Sequence, residues 1–429
     1  PAQAEAVARF IEWVTSPAAG LAIPRTWIGL AGTKLAMEDA VSLVKHVVGA
    51  GDIQAGLESY HDERSVEALK LQSAARNRME WFENVARYTH LAPWQFAYSL
   101  LTGSQRIGHQ NLRVRDAAYV AQVESELAKQ AGVETPRAPM FLPFRLRGMT
   151  LENRIVVSPM AQYSAADGLV CDWHLVHYGA RATGGAGLVV TEMTCVSPQG
   201  RITPGCTGLW NDAQRDGWAR IVAFVHQNSR AKICLQLGHA GRKGSTQLGW
   251  EDADQPLKGD NWETLAPSSL PYLPGVSAAP RAMQRADMNR VVAEFVQATR
   301  LGAAAGFDML ELHMAHGYLL ASFLSPLTNQ RTDEYGGAVA NRMRFPLEVL
   351  RAVRAAWPED RPISVRLSAS DWAAGGLIES DLIEIAVALR DAGADLLDVS
   401  TGQTVPWQKP VYGRMWQTPF SDLLRSAVG

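Results

Sequence analysis

Two hydrophobic periods divide the chain. Up to about residue 137, apolar residues recur at helical spacing. Ala4 to Val14 puts Val7, Phe10, Ile11 and Val14 on one helical face; Ser16, Pro17 and Pro24 then break the pattern. Gly29 and Gly32 precede a strong helical pattern from Leu35 to Val48. Such a glycine turn suits an anion at the helix N-terminus, and a tight turn before an ordinary helix explains it equally well. Residues 53 to 87 predict one or two amphipathic helices through Leu57, Tyr60, Leu69, Leu71, Met79, Trp81 and Phe82. Trp94, Phe96, Tyr98 and Leu100 add apolar surface that reads as core. Ala117 to Ala131 predicts another helix, and Gly132, Pro136 and Pro139 mark a linker.

Beyond the linker, short buried runs alternate with helical patterns. The strands expected are Arg154–Met160, Leu188–Thr191, Lys232–Leu237, Phe307–Leu312, Ile363–Leu367 and Leu396–Ser400. The helices expected between them are His174–Thr183, Ala213–Gln227, Met288–Ala305, Asn341–Ala356 and Ser380–Ala392. This alternation predicts an α/β fold with a parallel sheet, and polar residues collecting at the strand ends point to a (β/α)8 TIM barrel. Six strands are legible rather than eight, so the barrel reads as C-terminally truncated. Residues 241 to 285, rich in Trp, Pro, Gly and Asp, form a long insertion placed as a lid at the C-terminal face. The domains expected are thus 1–137, mainly helical, and 138–429, the barrel.

Composition narrows the class. The 429 residues exceed one ordinary core. A formal charge of −2 gives no electrostatic case for nucleic acid or an anionic membrane as partner. No apolar run is long enough to span a bilayer, and no secretory leader pattern opens the chain. Cys171, Cys195, Cys206 and Cys234 form no CxxC, which argues against a metal cluster and for a reducing, cytoplasmic location.

The chemistry concentrates between Leu310 and Gly337. Phe307, Met309, Leu310 and Leu312 read as a buried strand, which then supplies His313, His316 and Tyr318. A capped strand end with three satisfied polar groups is one reading. An active site is the other, because unpaired buried groups cost about 1–3 kcal/mol each. The i, i+3 histidines have no evident third ligand nearby, so no metal is expected.

Five blocks in order carry a family resemblance: NRIVVSPMAQYSAADGLVCDWHLVHYGARA, GLVVTEMTCVSPQGR, LQLGHAGRK, ELHMAHGYLLASFLSPLTNQRTDEYGG and ISVRLSASDW. Residues 139 to 429 resemble the Old Yellow Enzyme family of FMN-dependent ene-reductases, over the first three quarters of its barrel. The resemblance implies FMN as cofactor and NAD(P)H as reductant. It implies that His313 and His316 hydrogen-bond a substrate carbonyl oxygen, where negative charge grows during hydride addition to an enone. It makes Tyr318 the proton donor to the α-carbon and Tyr163 a substrate contact. Arg366 falls beside flavin N1 and the C2 carbonyl, where a cation favours reduction. Gln236 matches the amide on the pyrimidine edge. Ser158, Pro159, Met160, Ala161 and Met193 match strand-end contacts to the isoalloxazine. Ala161 departs from the Cys or Thr of many relatives and removes a side-chain handle on the flavin potential. The family's phosphate contacts, at strands seven and eight, lie beyond this sequence.

A second resemblance covers residues 1–137. GTKLAMEDA, then LESYHDER and a long helix to Trp81, resemble the C-terminal end of an FAD-dependent aromatic monooxygenase, with Glu38 and Asp39 matching its ED pair. The upstream GDAAH and GxGxxG stretches are absent, so FAD is implied only for a full-length monooxygenase half. The order of the two parts resembles the bifunctional anthraniloyl-CoA monooxygenase/reductase and salicylyl-CoA 5-hydroxylase type, in aromatic compound catabolism. The expected function is hydride transfer from NAD(P)H through FMN to an activated C=C of an enone or dearomatised aryl-CoA. The expected partner is a small molecule, with a homo-oligomer possible. The alternatives are a non-catalytic fragment without flavin and a dienoyl-CoA reductase-like enzyme, which would need a cysteine cluster after the barrel.

Overall fold

The computed structural model describes residues 36–50, 52–413 and 415–429. The helix expected over Ala4–Val14, the Gly29/Gly32 turn and the first residue of the Leu35–Val48 helix lie outside the described residues. The chain divides into two compact units, Pro1–Pro139 and Met140–Gly429.

The first unit is helical among its described residues. Helix α1 spans 36–49, α2 Ile53–Glu83, α3 Pro93–Thr102, α4 His109–Arg115 and α5 Ala117–Gln130. Asp52 caps α2 by accepting from Ala55 N at 3.1 Å. Helix α2 is one long rod, and of its described residues only Gly56 and Trp81 are buried. Leu57 and Leu69 stay exposed, whereas Tyr60, Leu71, Met79 and Phe82 are half-buried and Trp81 is buried, so the apolar face expected there is covered unevenly along the helix. The small core gathers at its C-terminal end, where Trp81 stacks on Tyr88 at 5.2 Å and meets Phe96 edge-on. Arg64 on α2 reaches back to Asp39 at 2.7 Å and Glu38 at 3.4 Å. Glu38 and Asp39 thus work as helix–helix ties.

The second unit is a parallel sheet wrapped by helices. A hairpin, β1 (Phe144–Leu146) and β2 (Met149–Leu151), precedes it. The strands that follow are β3 (Val156–Val157), β4 (Leu188–Val190), β5 (Thr194–Cys195) and β6 (Lys232–Gly238). A short parallel pair, β7 (Leu265–Ala266) and β8 (Arg281–Ala282), lies inside the long insertion. Then come β9 (Met309–Met314), β10 (Ile363–Ser368) and β11 (Leu396–Ser400). The order β11-β10-β9-β6-β4-β3 is parallel throughout, and β5 extends the sheet along β6. These are the six positions expected, forming an open half-barrel with β3 and β11 at its edges. The first strand is far shorter than expected. Pro159 offers no N–H to the ladder, and the chain turns away through Tyr163 at φ 47°.

The helices between strands include α6 (Asp172–Thr183), α7 (Asp212–Asn228), α8 (Arg285–Ala305), α9 (Leu319–Leu324), α10 (Arg344–Ala356) and α11 (Glu379–Asp391), and α12 (Thr418–Val428) follows β11. The single helix expected over Asn341–Ala356 is broken at Met343, after a turn whose Arg342 bonds Leu324 O at 2.7 Å and Asp381 at 2.6 Å.

Strand alternation explains the packing. Val189, Ile233, Leu235, Leu310, Leu312, Val365 and Leu367 point out into the main core under the helices. The intervening residues point in and change character along the strands. At the lower end, Leu188, Val190, Cys234 and Met309 meet Met149 and Leu151 of the hairpin, which plugs the base. At the C-terminal end the inward residues become Gln236, Glu311, His313, Arg366 and Asp398. Polar chemistry is therefore confined to one mouth.

Candidate active site

Strand register assembles the site. Gln236 lies opposite Glu311, His313 opposite Arg366, and Arg366 opposite Asp398. Parallel neighbours in register face the same side, so these groups share the inner surface. Gly238 leaves room above them. A Cβ there would meet Met193 at 2.5 Å and His313 at 3.3 Å.

After β9 the chain turns sharply. His316 sits at φ 61° and Gly317 at φ 71°, a conformation costly for a non-glycine residue. Two hydroxyls hold it there: His316 N donates to Ser368 Oγ at 2.9 Å, and His316 Nε2 meets Ser400 Oγ at 2.8 Å. The turn brings the rings together. His313 lies 5.0 Å from His316 and 4.8 Å from Tyr318, both edge-on, and His316 lies 6.5 Å from Tyr318.

Burial sets the protonation states. His313 is held well below the ordinary imidazole range by burial, with His316, Arg366 and Lys243 adding repulsion. His316 is lowered to about 3 by burial, then by Arg366 and Lys243. Both rings are therefore neutral near pH 7. Ala315 N donates to His313 Nδ1 at 3.2 Å, which puts the His313 proton on Nε2. Burial raises the Tyr318 phenol well above its usual value, with Tyr163 adding to it. Tyr318 is thus a protonated acid at neutral pH.

Tyr163 joins this group through the cluster of Met193, Cys195, Ile202, Cys206 and Ala240, which Tyr318 also packs against. Trp250 of the long insertion lies 6.5 Å from the Tyr163 ring, which sets the insertion beside the site. Ser158 and Pro159 line a cavity of about 480 Å³ within the sheet, together with Glu311, Ser364 and Asp398. That cavity lies below the histidines, which do not line it. Met160 and Ala161 are exposed, and Gln162 Nε2 donates to their carbonyls at 2.9 and 3.3 Å.

The structure adds residues to which sequence reasoning gave no role. Glu192 accepts from Gln162 N at 3.0 Å and from the Tyr178 hydroxyl at 3.2 Å, pinning the loop of Ser158 to Tyr163. Lys243 Nζ donates to His316 O and Gln403 O, each at 3.2 Å, and lies 5.2 Å from the Tyr318 ring centroid. Burial lowers it to about 8. Lys243 was present in the block LQLGHAGRK, but its reach across the mouth depends on the turn after β6. Glu311 accepts from Gln236 Nε2 at 2.9 Å and from Ser364 Oγ at 2.8 Å. Among the described residues, no three His, Cys, Asp or Glu side chains come together in a metal-binding group.

A family model described as NADH:flavin oxidoreductase / NADH oxidase matches residues 139–422. The chain belongs to that family. It is 42% identical over 292 residues to an NADPH dehydrogenase of Geobacillus thermodenitrificans, covering 68% of this chain and 80% of that protein. Among solved structures, morphinone reductase in complex with tetrahydroNAD superposes with a TM-score of 0.55 at 30% identity, covering 68% of this chain and 78% of that one. A 2-naphthoyl-CoA reductase in complex with 2-naphthoyl-CoA shares the fold, with a TM-score of 0.59 at 24% identity. Its match covers 67% of this chain but only 45% of the reductase. Use of FMN and NAD(P)H is typical of this oxidoreductase family.

The residues present fit a flavin. Arg366 Nε is buried without a hydrogen-bond partner, while its Nη1 lies 3.3 Å from Asp398. A guanidinium fixed at one end with an N–H left over is a ready contact for a carbonyl or ring nitrogen.

Proposed function

We propose that this chain carries the FMN-dependent reductase site of an NAD(P)H oxidoreductase acting on an activated C=C. The observation that supports it most is the meeting of two neutral histidines and a protonated tyrosine beside Arg366. Gln236 and Arg366 would hold the pyrimidine edge of FMN, and Ser158, Pro159, Met160, Ala161 and Met193 would bound its ring system. Bound FMN supplies the two-electron carrier between NAD(P)H and the acceptor.

The chain's own groups do the rest. His313 Nε2–H donates to the substrate carbonyl oxygen. With the Ser400 hydroxyl donating to its Nε2, His316 offers Nδ1–H to the same oxygen. Neutral donors fixed by the fold stabilise the charge that grows there without reorganising. Tyr318 delivers its proton to the α-carbon, and the cation of Lys243 beside its ring steadies the phenolate left behind. Tyr163 would contact the acceptor.

The acceptor we favour is the dearomatised ring of an aromatic CoA thioester, with residues 1–137 as the end of an FAD-dependent aromatic monooxygenase. The sequence blocks GTKLAMEDA and LESYHDER and the separate helical unit favour it. A cytoplasmic location and a homo-oligomeric enzyme go with this reading.

The test is the visible spectrum of the purified chain with identification of any released cofactor. A flavin spectrum releasing FMN, bleached anaerobically by NAD(P)H and restored by a cyclic enone, is expected. A colourless protein that takes up no added FMN would sink the proposal in favour of a non-catalytic fragment. Comparing kcat/KM for aryl-CoA-derived acceptors and simple enones then decides the substrate class. A cofactor mixture containing iron and sulfide would favour a dienoyl-CoA reductase-like enzyme instead.

A further inference from the structure

The most unusual group the proposed chemistry leaves unused is Glu311. It is buried inside the sheet, two residues before His313 on the same strand, and points into the same interior. Its two oxygens are divided between neighbours. Gln236 Nε2, on β6, donates to Oε1 at 2.9 Å; Ser364 Oγ, on β10, donates to Oε2 at 2.8 Å.

We infer that Glu311 is a positioning residue whose proton selects which end of the Gln236 amide faces the mouth of the barrel. The inference rests on the reading of Gln236 and Arg366 as flavin-edge residues. An ionised carboxylate only accepts hydrogen bonds. It therefore holds the amide with Nε2 inward and the carbonyl oxygen available outward. A protonated Glu311 carries a donor. The amide then turns over, accepts that proton with its oxygen, and offers Nε2 outward. Ser364 serves both states, because a hydroxyl donates or accepts by rotation. One proton thus converts the outward group from acceptor to donor.

The surroundings make that proton available near neutrality. Asp398 faces Glu311 from β11, Arg366 from β10 and Cys234 from β6, and Arg154 lines the same cavity. Two carboxyls share one close guanidinium, and Arg366 lies 3.3 Å from Asp398. Burial first and Asp398 second push Glu311 up to about 7, against the pull of Arg366, Ser364 and Gln236. Asp398 is itself raised by burial, with Arg366 opposing. The pyrimidine edge of a bound flavin would keep its N–H in both redox states, which an outward carbonyl oxygen satisfies; the negative charge that edge gains on reduction would shift the balance toward an outward donor to its carbonyl oxygen. Proton uptake from water by Glu311 would accompany the two electrons and would be reversed on reoxidation. No other bond forms or breaks.

The experiment uses the full chain loaded with FMN. The midpoint potential of the bound flavin is measured across pH, between about 5.5 and 8.5, to bracket the carboxyl. The pH-difference infrared spectrum of the flavin-free protein is recorded in parallel. The wild-type chain is expected to change slope near pH 7 and to show one buried carboxyl titrating there. Glu311→Gln should lose both while still binding FMN. Gln236→Met should keep the infrared band but lose the change in slope. A slope change that survives Gln236→Met would show through-space charge acting alone and overturn the amide switch. A slope change that survives Glu311→Gln, or is missing from the FMN-bound wild type, would overturn the role of Glu311. Failure of the wild type to bind FMN would sink the flavin-site reading itself, and this inference with it.

Discussion

Lys243 Nζ lies over the Tyr318 ring, 5.2 Å from its centroid, and the proposed reaction gives each residue a separable job. Replacing Tyr318 with Phe keeps the ring and removes the acid. We expect kcat for alkene reduction to fall by about 100-fold or more, with FMN affinity unchanged. Single-turnover mixing of the reduced enzyme with acceptor checks it; an unchanged rate would make another group the acid. Lys243 acts on its neighbours by charge, because its cation helps hold His313 and His316 neutral. Lys243→Met removes that repulsion, so both imidazoles should gain protons at higher pH than before. The acid limb of the kcat/KM profile should move upward in pH. A limb that stays put would exclude these histidines from it. The variant also strands two carbonyls, at a cost of about 1–3 kcal/mol each, so its stability must be measured alongside. His313, His316 and Tyr318 were legible in sequence because three polar groups crowd one strand end. Glu311 and Lys243 were not, since their partners come from strands and turns brought close only by the fold.

At the scale of elements, the turn after β9 carries a tight constraint right beside the site. Gly317 lies at φ 71°, and a Cβ there would come within 2.9 Å of both Gln403 O and Thr404 Cα. Both obstacles are backbone and cannot swing aside. Gly317→Ala should destabilise the protein by roughly 1–3 kcal/mol and displace His316 from Ser368 and Ser400. Urea unfolding and FMN-bound activity report the two effects; an unaffected variant would show that the turn tolerates a side chain. The strands and helices of the second unit were legible because the buried strand run and the 3.6-residue helix pattern differ so clearly. The β1–β2 hairpin escaped notice because three-residue strands are too short to show a period. The uneven cover of α2 has the opposite origin: a helical pattern states which side is apolar, not how much of it anything packs against, and Leu57 and Leu69 stay exposed.

For the second unit as a whole, buried neutral histidines govern acid stability. His239 is lowered to about 3 by burial, alongside His313 and His316. Folded values below the unfolded one mean that the unfolded chain binds more protons once pH drops under about 6.5. Stability is therefore full above that point and is lost as pH falls. Three such groups give a slope of up to about 4 kcal/mol per pH unit. Glu311 works against them. Raised when folded, it takes up its proton before the unfolded chain does and recovers stability as pH falls from about 7 toward 4.5. Urea midpoints measured from mildly alkaline pH down to about pH 4 should show a fall that steepens below about pH 4.5, where Glu311 no longer offsets the histidines. Replacing His239 with an apolar residue of similar size should flatten it. A flat profile in the wild-type chain would mean that these rings titrate normally.

The two hydroxyls that hold His316 come from far along the chain. Ser368 is 52 residues downstream and Ser400 is 84. During synthesis the histidine leaves the ribosome well before either anchor, and no local force keeps its backbone left-handed. The strained turn can lock only after β10 and β11 have been made and added to the sheet. Any capacity to polarise a carbonyl therefore arrives late and abruptly. A nascent chain stalled before Ser400 would carry both imidazoles yet lack their arrangement.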